Sequence, residues 1–88
     1  MELNNKVLVN IIVPEINQKY DVFLPVNKKI GSIIRLVNKS INELTNEPIA
    51  FKHLYNGETK ELYDYDVLLI NSKIRNGSKL ILLRWQIM

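Results

Sequence analysis

In residues 30–44, "IGSIIRLVNKSINEL", apolar side chains recur with a helical period, and this segment determines how the rest of the chain must be arranged. They fall at i, i+3, i+4, i+7, i+11 and i+14, which places them along one stripe of an amphipathic helix. The stripe consists of Ile30, Ile33, Ile34, Val37, Ile41 and Leu44. Asn27 is the predicted N-cap, and Asn46 followed by Pro48 ends the helix near Leu44. The sequence therefore predicts one helix that has one face to bury.

Two strands precede this helix. The first, Lys6–Val13 ("KVLVNIIV"), is rich in β-branched residues, which favour strands. The residues that follow it, "PEINQK", are typical of a turn. The second strand, residues 20–26 ("YDVFLPV"), contains Pro25, which cannot donate a hydrogen bond to a β-ladder. The second strand is therefore predicted to lie at an edge of the sheet.

More strands follow the helix. Residues 51–55 ("FKHLY"), an Asn-Gly pair at 56–57 and a short strand at 60–63 predict a hairpin with an irregular loop. A second Asn-Gly pair at 76–77 then precedes a last strand that begins near residue 78 with "SKLILL". The predicted order is strand, strand, helix, strand, short strand, strand.

This order predicts an α+β fold of the β-grasp type. A hairpin, a helical crossover and a return strand parallel to the first give that arrangement under the right-handed crossover rule. The first and last strands are then central neighbours in a mixed sheet of four to five strands, with the helix packed on one face. We expect a single domain over residues 1–88, with an ordered core at about residues 6–85.

Composition excludes several kinds of function. The chain has no cysteine, which excludes a thiol nucleophile, a disulfide framework and a cysteine-based zinc site. His53 is the only histidine and has no candidate nucleophile beside it, so we expect neither catalysis, nor a metal, nor a cofactor. The net charge is +3, but the basic residues are spread along the chain, which disfavours nucleic-acid binding.

The N-terminus also bears on location. It lacks the continuous apolar segment and small-residue cleavage site of a signal peptide. The apolar runs elsewhere are far shorter than the ~20 residues that a membrane-spanning helix needs. A cytoplasmic protein without membrane insertion is the expectation.

One face of the predicted sheet has nothing assigned to cover it. If Leu80 and Leu82 lie under the helix with alternate residues of the first strand, the intervening side chains point the other way. This second face then carries Leu8, Ile12, Phe23, Ile81, Leu83 and Trp85. Apolar patches of several hundred Å² usually mark an interaction site, so we predict that these six residues bind a protein and that replacing Ile81 and Leu83 leaves the fold intact. The alternative is that the tail at 86–88 or the loop at 56–66 covers this face.

The sequence also resembles a known family. Residues 70–83, "INSKIRNGSKLILL", are similar to the recurring ending of ubiquitin-like domains. Together with residues 20–37, "YDVFLPVNKKIGSIIRLV", they resemble the YukD/EsaB family of small bacterial ubiquitin-like proteins that are encoded with type VII secretion systems. The resemblance implies a cytosolic accessory or regulatory component of such a system. Its partner would be a protein, either a secretion-system membrane component or a second copy of the chain.

Two other functions remain open. An ubiquitin-like adaptor unrelated to secretion would have the same fold. A sulfur carrier or conjugated modifier would need a flexible C-terminal Gly-Gly, whereas this chain ends in the bulky residues 84–88, "RWQIM". Two carboxylates, Asp64 and Asp66, stand two residues apart and could form an acid–base pair or a cation site. We interpret them as part of a solvated loop because no second cluster of ligands lies near them.

Overall fold

The structure is a computed structural model that describes residues 5–86. In this part of the chain the regular elements are β1 (Lys6–Val13), β2 (Gln18–Pro25), α1 (Ile30–Thr45), β3 (His53–Asn56) and β4 (Lys79–Leu83). The strand order is β2-β1-β4-β3. β1 pairs antiparallel with β2 and parallel with β4, while β3 pairs antiparallel with β4. The first and last strands are central neighbours, as predicted, and the fold is an α+β β-grasp.

The core lies between α1 and one face of the sheet. Alternate residues of β1 and β4 point toward the helix because successive side chains of a strand face opposite sides. The strand residues buried there include Val9, Ile11, Val13, Leu54, Leu80 and Leu82. Five of the six predicted helix positions are buried against them, whereas Leu44 is 71% exposed. At 3.6 residues per turn Leu44 points in a direction between those of Ile33 and Val37, so its exposure does not come from rotation about the helix axis. It lies in the last turn of α1, which ends at Thr45.

The start of α1 differs from the prediction. The helix begins at Ile30 without a side-chain cap, so Asn27 does not perform that role. Instead the Ile30 N–H donates to the Val67 carbonyl at 2.9 Å, and the Gly31 N–H donates to the Tyr65 carbonyl at 3.0 Å. The first N–H groups of a helix have no partner inside it, and here a later segment of the chain supplies the acceptors.

The two edges of the sheet are unlike. Residues 61–63 run beside β3, where Leu62 forms an isolated bridge with Tyr55 and the Tyr63 N–H donates to the Leu54 carbonyl. The predicted short strand at 60–63 is thus a single bridge. The β2 edge, by contrast, has no neighbouring strand within residues 5–86, in agreement with the edge position predicted from Pro25.

Candidate protein-binding surface

The face of the sheet opposite α1, called here the outer face, carries four of the predicted site residues as two cross-strand pairs. Leu8 of β1 lies opposite Phe23 of β2, and Ile12 of β1 lies opposite Ile81 of β4. Leu8 and Phe23 are exposed, Phe23 by 53%, and the isoleucines are partly exposed. The alternation of side chains along β1, β2 and β4 therefore places these four residues on the predicted face.

A polar row that was not predicted from the sequence divides this outer face. Asn10 lies opposite Asp21 on one side and Lys79 on the other. The Asn10 side-chain amide donates to the Asp21 carboxylate at 3.0 Å. This row runs across three strands between the Leu8–Phe23 pair and the Ile12–Ile81 pair. The six predicted residues therefore do not form one patch, because the strand register inserts polar side chains among them.

A second apolar region lies on the Ile81 side of the polar row. Tyr55 of β3 is opposite Ile81, and Leu62 is bridged to Tyr55, so the region continues across to the β3 edge. We call Ile12, Tyr55, Leu62, Ile81 and Leu83 the central patch. The sequence does not assign Tyr55 or Leu62 to this face, because Tyr55 is placed there by the register of β3 with β4, and Leu62 by its bridge to Tyr55. Leu62 is 44% exposed, whereas Tyr55 is buried.

The burial of Leu83 contradicts the prediction that this residue can be replaced without harm to the fold. Leu83 alternates with buried Leu82 and lies opposite His53, on the outer face, yet it is only 8% exposed. Residues 61–63 run beside β3. Residues 62–65 line an open hollow of about 390 Å³ together with His53 and Gln86. That the loop at 56–66 covers this end of the sheet stays a prediction. Replacement of Leu83 is now expected to destabilise the fold, unlike replacement of Ile81.

Trp85 lies beyond the end of β4, where strand alternation no longer determines its direction. Its side chain is exposed, and the Arg84 guanidinium carbon is 5.6 Å from the centroid of its ring. Arg84 also forms an ion pair with Glu15, with 2.7 Å between Nη2 and Oε2. Trp85 therefore belongs to a charged cluster at the end of β4. The last two residues of the predicted covering tail, Ile87 and Met88, lie outside the described residues.

His53, Asp64 and Asp66, the candidates for catalysis or metal binding, make hydrogen bonds and ring contacts within the fold. The rings of His53 and Tyr65 stack with 6.1 Å between centroids, and His53 Nδ1 is 2.8 Å from the Tyr65 hydroxyl. Since that hydroxyl donates its proton to the Lys52 carbonyl, it accepts from an Nδ1–H. Asp64 accepts a hydrogen bond from the Asp66 N–H at 2.8 Å, which shapes the turn. Among residues 5–86, no three acidic or histidine side chains are grouped to hold a metal ion.

Two tyrosines have perturbed acidities. Burial raises the pKa of the Tyr63 hydroxyl above its usual value; the side-chain hydrogen bond with Asn56 lowers that pKa and the charge of Glu61 raises it further. Burial, and to a lesser extent Tyr55, also raises the pKa of Tyr65. Both shifts favour the neutral phenol, so neither side chain is prepared to act as a base at neutral pH.

Residues 5–86 contain no helix with the length and apolar character needed to cross a membrane.

Comparison with known proteins gives the fold. No family model matches the chain, and no curated protein matches it either, so the YukD/EsaB resemblance stays a prediction. Among solved structures, the ubiquitin-like domain of the Mycobacterium tuberculosis type VII secretion system protein EccD1 is similar, with a TM-score of 0.68 and 15% identity over 89% of this chain and 97% of that one. The likeness supports an ubiquitin-like β-grasp fold.

Two further structures show how widely the fold is used. A chain of the ESX-5 inner membrane complex matches with a TM-score of 0.68 and 16% identity over 96% of this chain, which corresponds to 22% of that one. A chain of the toluene 4-monooxygenase HD complex matches with a TM-score of 0.73 and 11% identity over 89% of this chain and 96% of that one. Identities this low show a shared fold and carry no activity across.

Proposed function

We propose that the chain is a non-conjugating ubiquitin-like module that binds a protein partner through the central patch, as a cytosolic accessory component of a type VII secretion system. The observation that carries the proposal is the asymmetry of the sheet. One face is covered by α1, while the other presents Ile12, Leu62 and Ile81 at its surface, beside the buried Tyr55 and Leu83. Apolar side chains held on a rigid sheet are typical of protein-binding surfaces.

The link to secretion has two supports. The sequence around β2, α1 and β4 resembles the YukD/EsaB family, and the fold resembles the ubiquitin-like domain of EccD1. The ESX-5 match is to part of a larger chain in a membrane complex, which favours a membrane component of the secretion machinery as the partner. We propose no catalytic step, because His53 is stacked on and hydrogen-bonded to Tyr65, and the raised pKa of Tyr65 keeps its hydroxyl neutral.

The experiment places a photo-crosslinking amino acid at Leu62, which is on the patch and exposed, and in a separate variant at Lys39, on the wet side of α1. We expect ultraviolet light to join the Leu62 probe in cells to a type VII secretion component, and expect no such adduct from the Lys39 probe. Ile81→Ser should remove the adduct while its thermal melt stays cooperative.

Three results would contradict parts of the proposal. Equal adducts from both probes would show that the central patch is not the binding surface. A patch-dependent partner unrelated to secretion would overturn the secretion link and retain the binding module. A covalent adduct at the C-terminus, found by mass spectrometry after incubation with lysate and ATP, would overturn the non-conjugating assignment.

A further inference from the structure

The open edge of β2 has a defined set of free backbone groups. In an antiparallel pair of strands, alternate residue pairs exchange hydrogen bonds and the intervening residues point their N–H and C=O outward. The Val26 N–H donates to the Asn5 carbonyl, so residues 5 and 26 are a hydrogen-bonded pair. Every second residue of β2 before Val26 therefore also bonds to β1, and the residues between them do not. The register therefore directs the backbone groups of Lys19, Asp21 and Phe23 away from β1, toward an edge that no segment of residues 5–86 occupies.

An apolar groove of about 120 Å³ runs beside this edge, between β2 and α1. Tyr20 and Val22 line it from the strand. Leu36, Ser40 and Leu44 line it from the helix, spaced four residues apart on one side of α1. Leu36 is 52% exposed and Leu44 is 71% exposed. The edge thus combines free hydrogen-bonding groups with an unburied apolar stripe, which is the arrangement that accepts an added strand.

The charges on the edge indicate which strand fits. Lys19 and Asp21 point to the same outer face, two residues apart and opposite in sign. When β2 pairs antiparallel with a second copy so that Tyr20 lies opposite Tyr20, each Lys19 faces the second copy's Asp21. Oppositely charged residues directly across two strands stabilise the pair. Asp21 uses Oδ1 to accept from Asn10, which leaves Oδ2 available for the lysine.

Neighbouring registers lose this complementarity. Shifts in the two directions oppose Asp21 to Asp21 or Lys19 to Lys19, and like charges directly across a strand pair are destabilising. A further shift opposes Lys19 to Pro25, which has no N–H to donate. The edge is therefore self-complementary in a single register.

We propose that the chain forms a two-fold symmetric homodimer by antiparallel pairing of β2 with β2, with Lys19 of each copy opposite Asp21 of the other and the Leu36–Leu44 stripes adjoining across the axis. A two-fold axis brings the same surface of both copies together, so a self-complementary edge suffices. This surface is distinct from the central patch. The dimer leaves that patch free, and it presents two copies of it to a binding partner.

The test reverses charges on the edge and measures dimerisation by sedimentation equilibrium, at protein concentrations up to about 1 mM so that a weak dimer is also detected. Lys19→Asp and Asp21→Lys should each raise the dimer dissociation constant about tenfold, since two attractive pairs per dimer become repulsive. The double variant K19D/D21K restores opposite signs across the axis, so its dissociation constant should return toward that of the unmodified chain.

The controls separate this edge from other surfaces. Lys39→Asp makes the same charge change outside the groove and should leave the dissociation constant unchanged, as should Ile81→Ser on the central patch. Leu44→Ser should weaken the dimer without lowering the melting temperature of the monomer. Lys19→Asp keeps the Asn10–Asp21 hydrogen bond, so it reports on the dimer even where Asp21→Lys perturbs the fold. A monomer at every concentration, or a dimer insensitive to Lys19→Asp, would overturn the proposal.

Discussion

At the scale of single residues, Gly57 is required by a close approach between two backbones. Its N–H donates to the Lys79 carbonyl at 2.7 Å, which joins the turn after β3 to the start of β4. A Cβ on residue 57 would lie 2.7 Å from that same carbonyl oxygen, closer than such atoms approach. Glycine is favoured at position 77 for a different reason: its φ is +88°, a conformation that other residues rarely adopt. The space around it is open, so a side chain would not clash there.

The two glycines therefore predict different costs. Gly57→Ala should lower the free energy of unfolding by about 2–3 kcal/mol, since the added methyl group must displace backbone. Gly77→Ala should lower it by about 1 kcal/mol, the usual cost of a left-handed conformation. Urea denaturation of both variants provides the measurement. A smaller loss at residue 57 than at residue 77 would contradict the close approach.

Tyr63 predicts how stability depends on alkaline pH. Because burial raises its pKa in the folded state above the value of 10.0 in the unfolded chain, folding favours the neutral phenol. The stabilisation of the folded state by the neutral Tyr63 phenol is fully present below pH 10, and it is lost as the pH rises through the folded-state pKa. We expect the unfolding free energy to fall above pH 10 and to fall less steeply in Tyr63→Phe, as measured by urea denaturation at a series of pH values. Identical slopes for the two proteins would contradict this.

At the scale of elements, α1 is the part that the sequence predicts best, because its period is local information. The predicted stripe includes Val37, which is buried, whereas Lys39 lies on the wet side. The start of the helix was predicted incorrectly because its acceptors come from Tyr65 and Val67, more than 30 residues away. The division of the outer face by Asn10, Asp21 and Lys79 was missed for the same reason, since it depends on how separate strands are aligned.

Two substitutions in α1 test this assignment. Val37→Asp should unfold the domain, because it buries a carboxylate without a partner. Lys39→Asp introduces the same side chain on the exposed side of α1, where water solvates it, and should change stability by only about ±0.5 kcal/mol. Circular dichroism melts of the two variants give the comparison, and similar melting temperatures would mean that the helix faces are assigned incorrectly.

At the scale of the whole molecule, the connection from β3 to β4 is part of the core in spite of its irregular backbone. Leu69 in its short 3-10 turn is fully buried, and its N–H donates to the Lys28 carbonyl at 2.9 Å. The next N–H, that of Ile70, donates to the Val26 carbonyl at 3.0 Å. These bonds attach the connection to the turn that leads into α1. No local period marks such a segment, so its role in the core could not be predicted from the sequence.

The neighbours Leu69 and Ile70 provide the sharpest test of this role. Leu69 is 0% exposed and Ile70 is 63% exposed, although they are adjacent and similar in volume. Leu69→Ala should lower the free energy of unfolding by about 2–4 kcal/mol, as truncations in a packed core do, and Ile70→Ala should change it by no more than about 0.5 kcal/mol. Hydrogen exchange should accordingly show the Ile30 and Gly31 amides protected as strongly as those in the middle of α1, because the same connection supplies their acceptors. If Leu69→Ala cost as little as Ile70→Ala and those two amides exchanged rapidly, the connection would be a surface loop, and the core would consist of the sheet and helix alone.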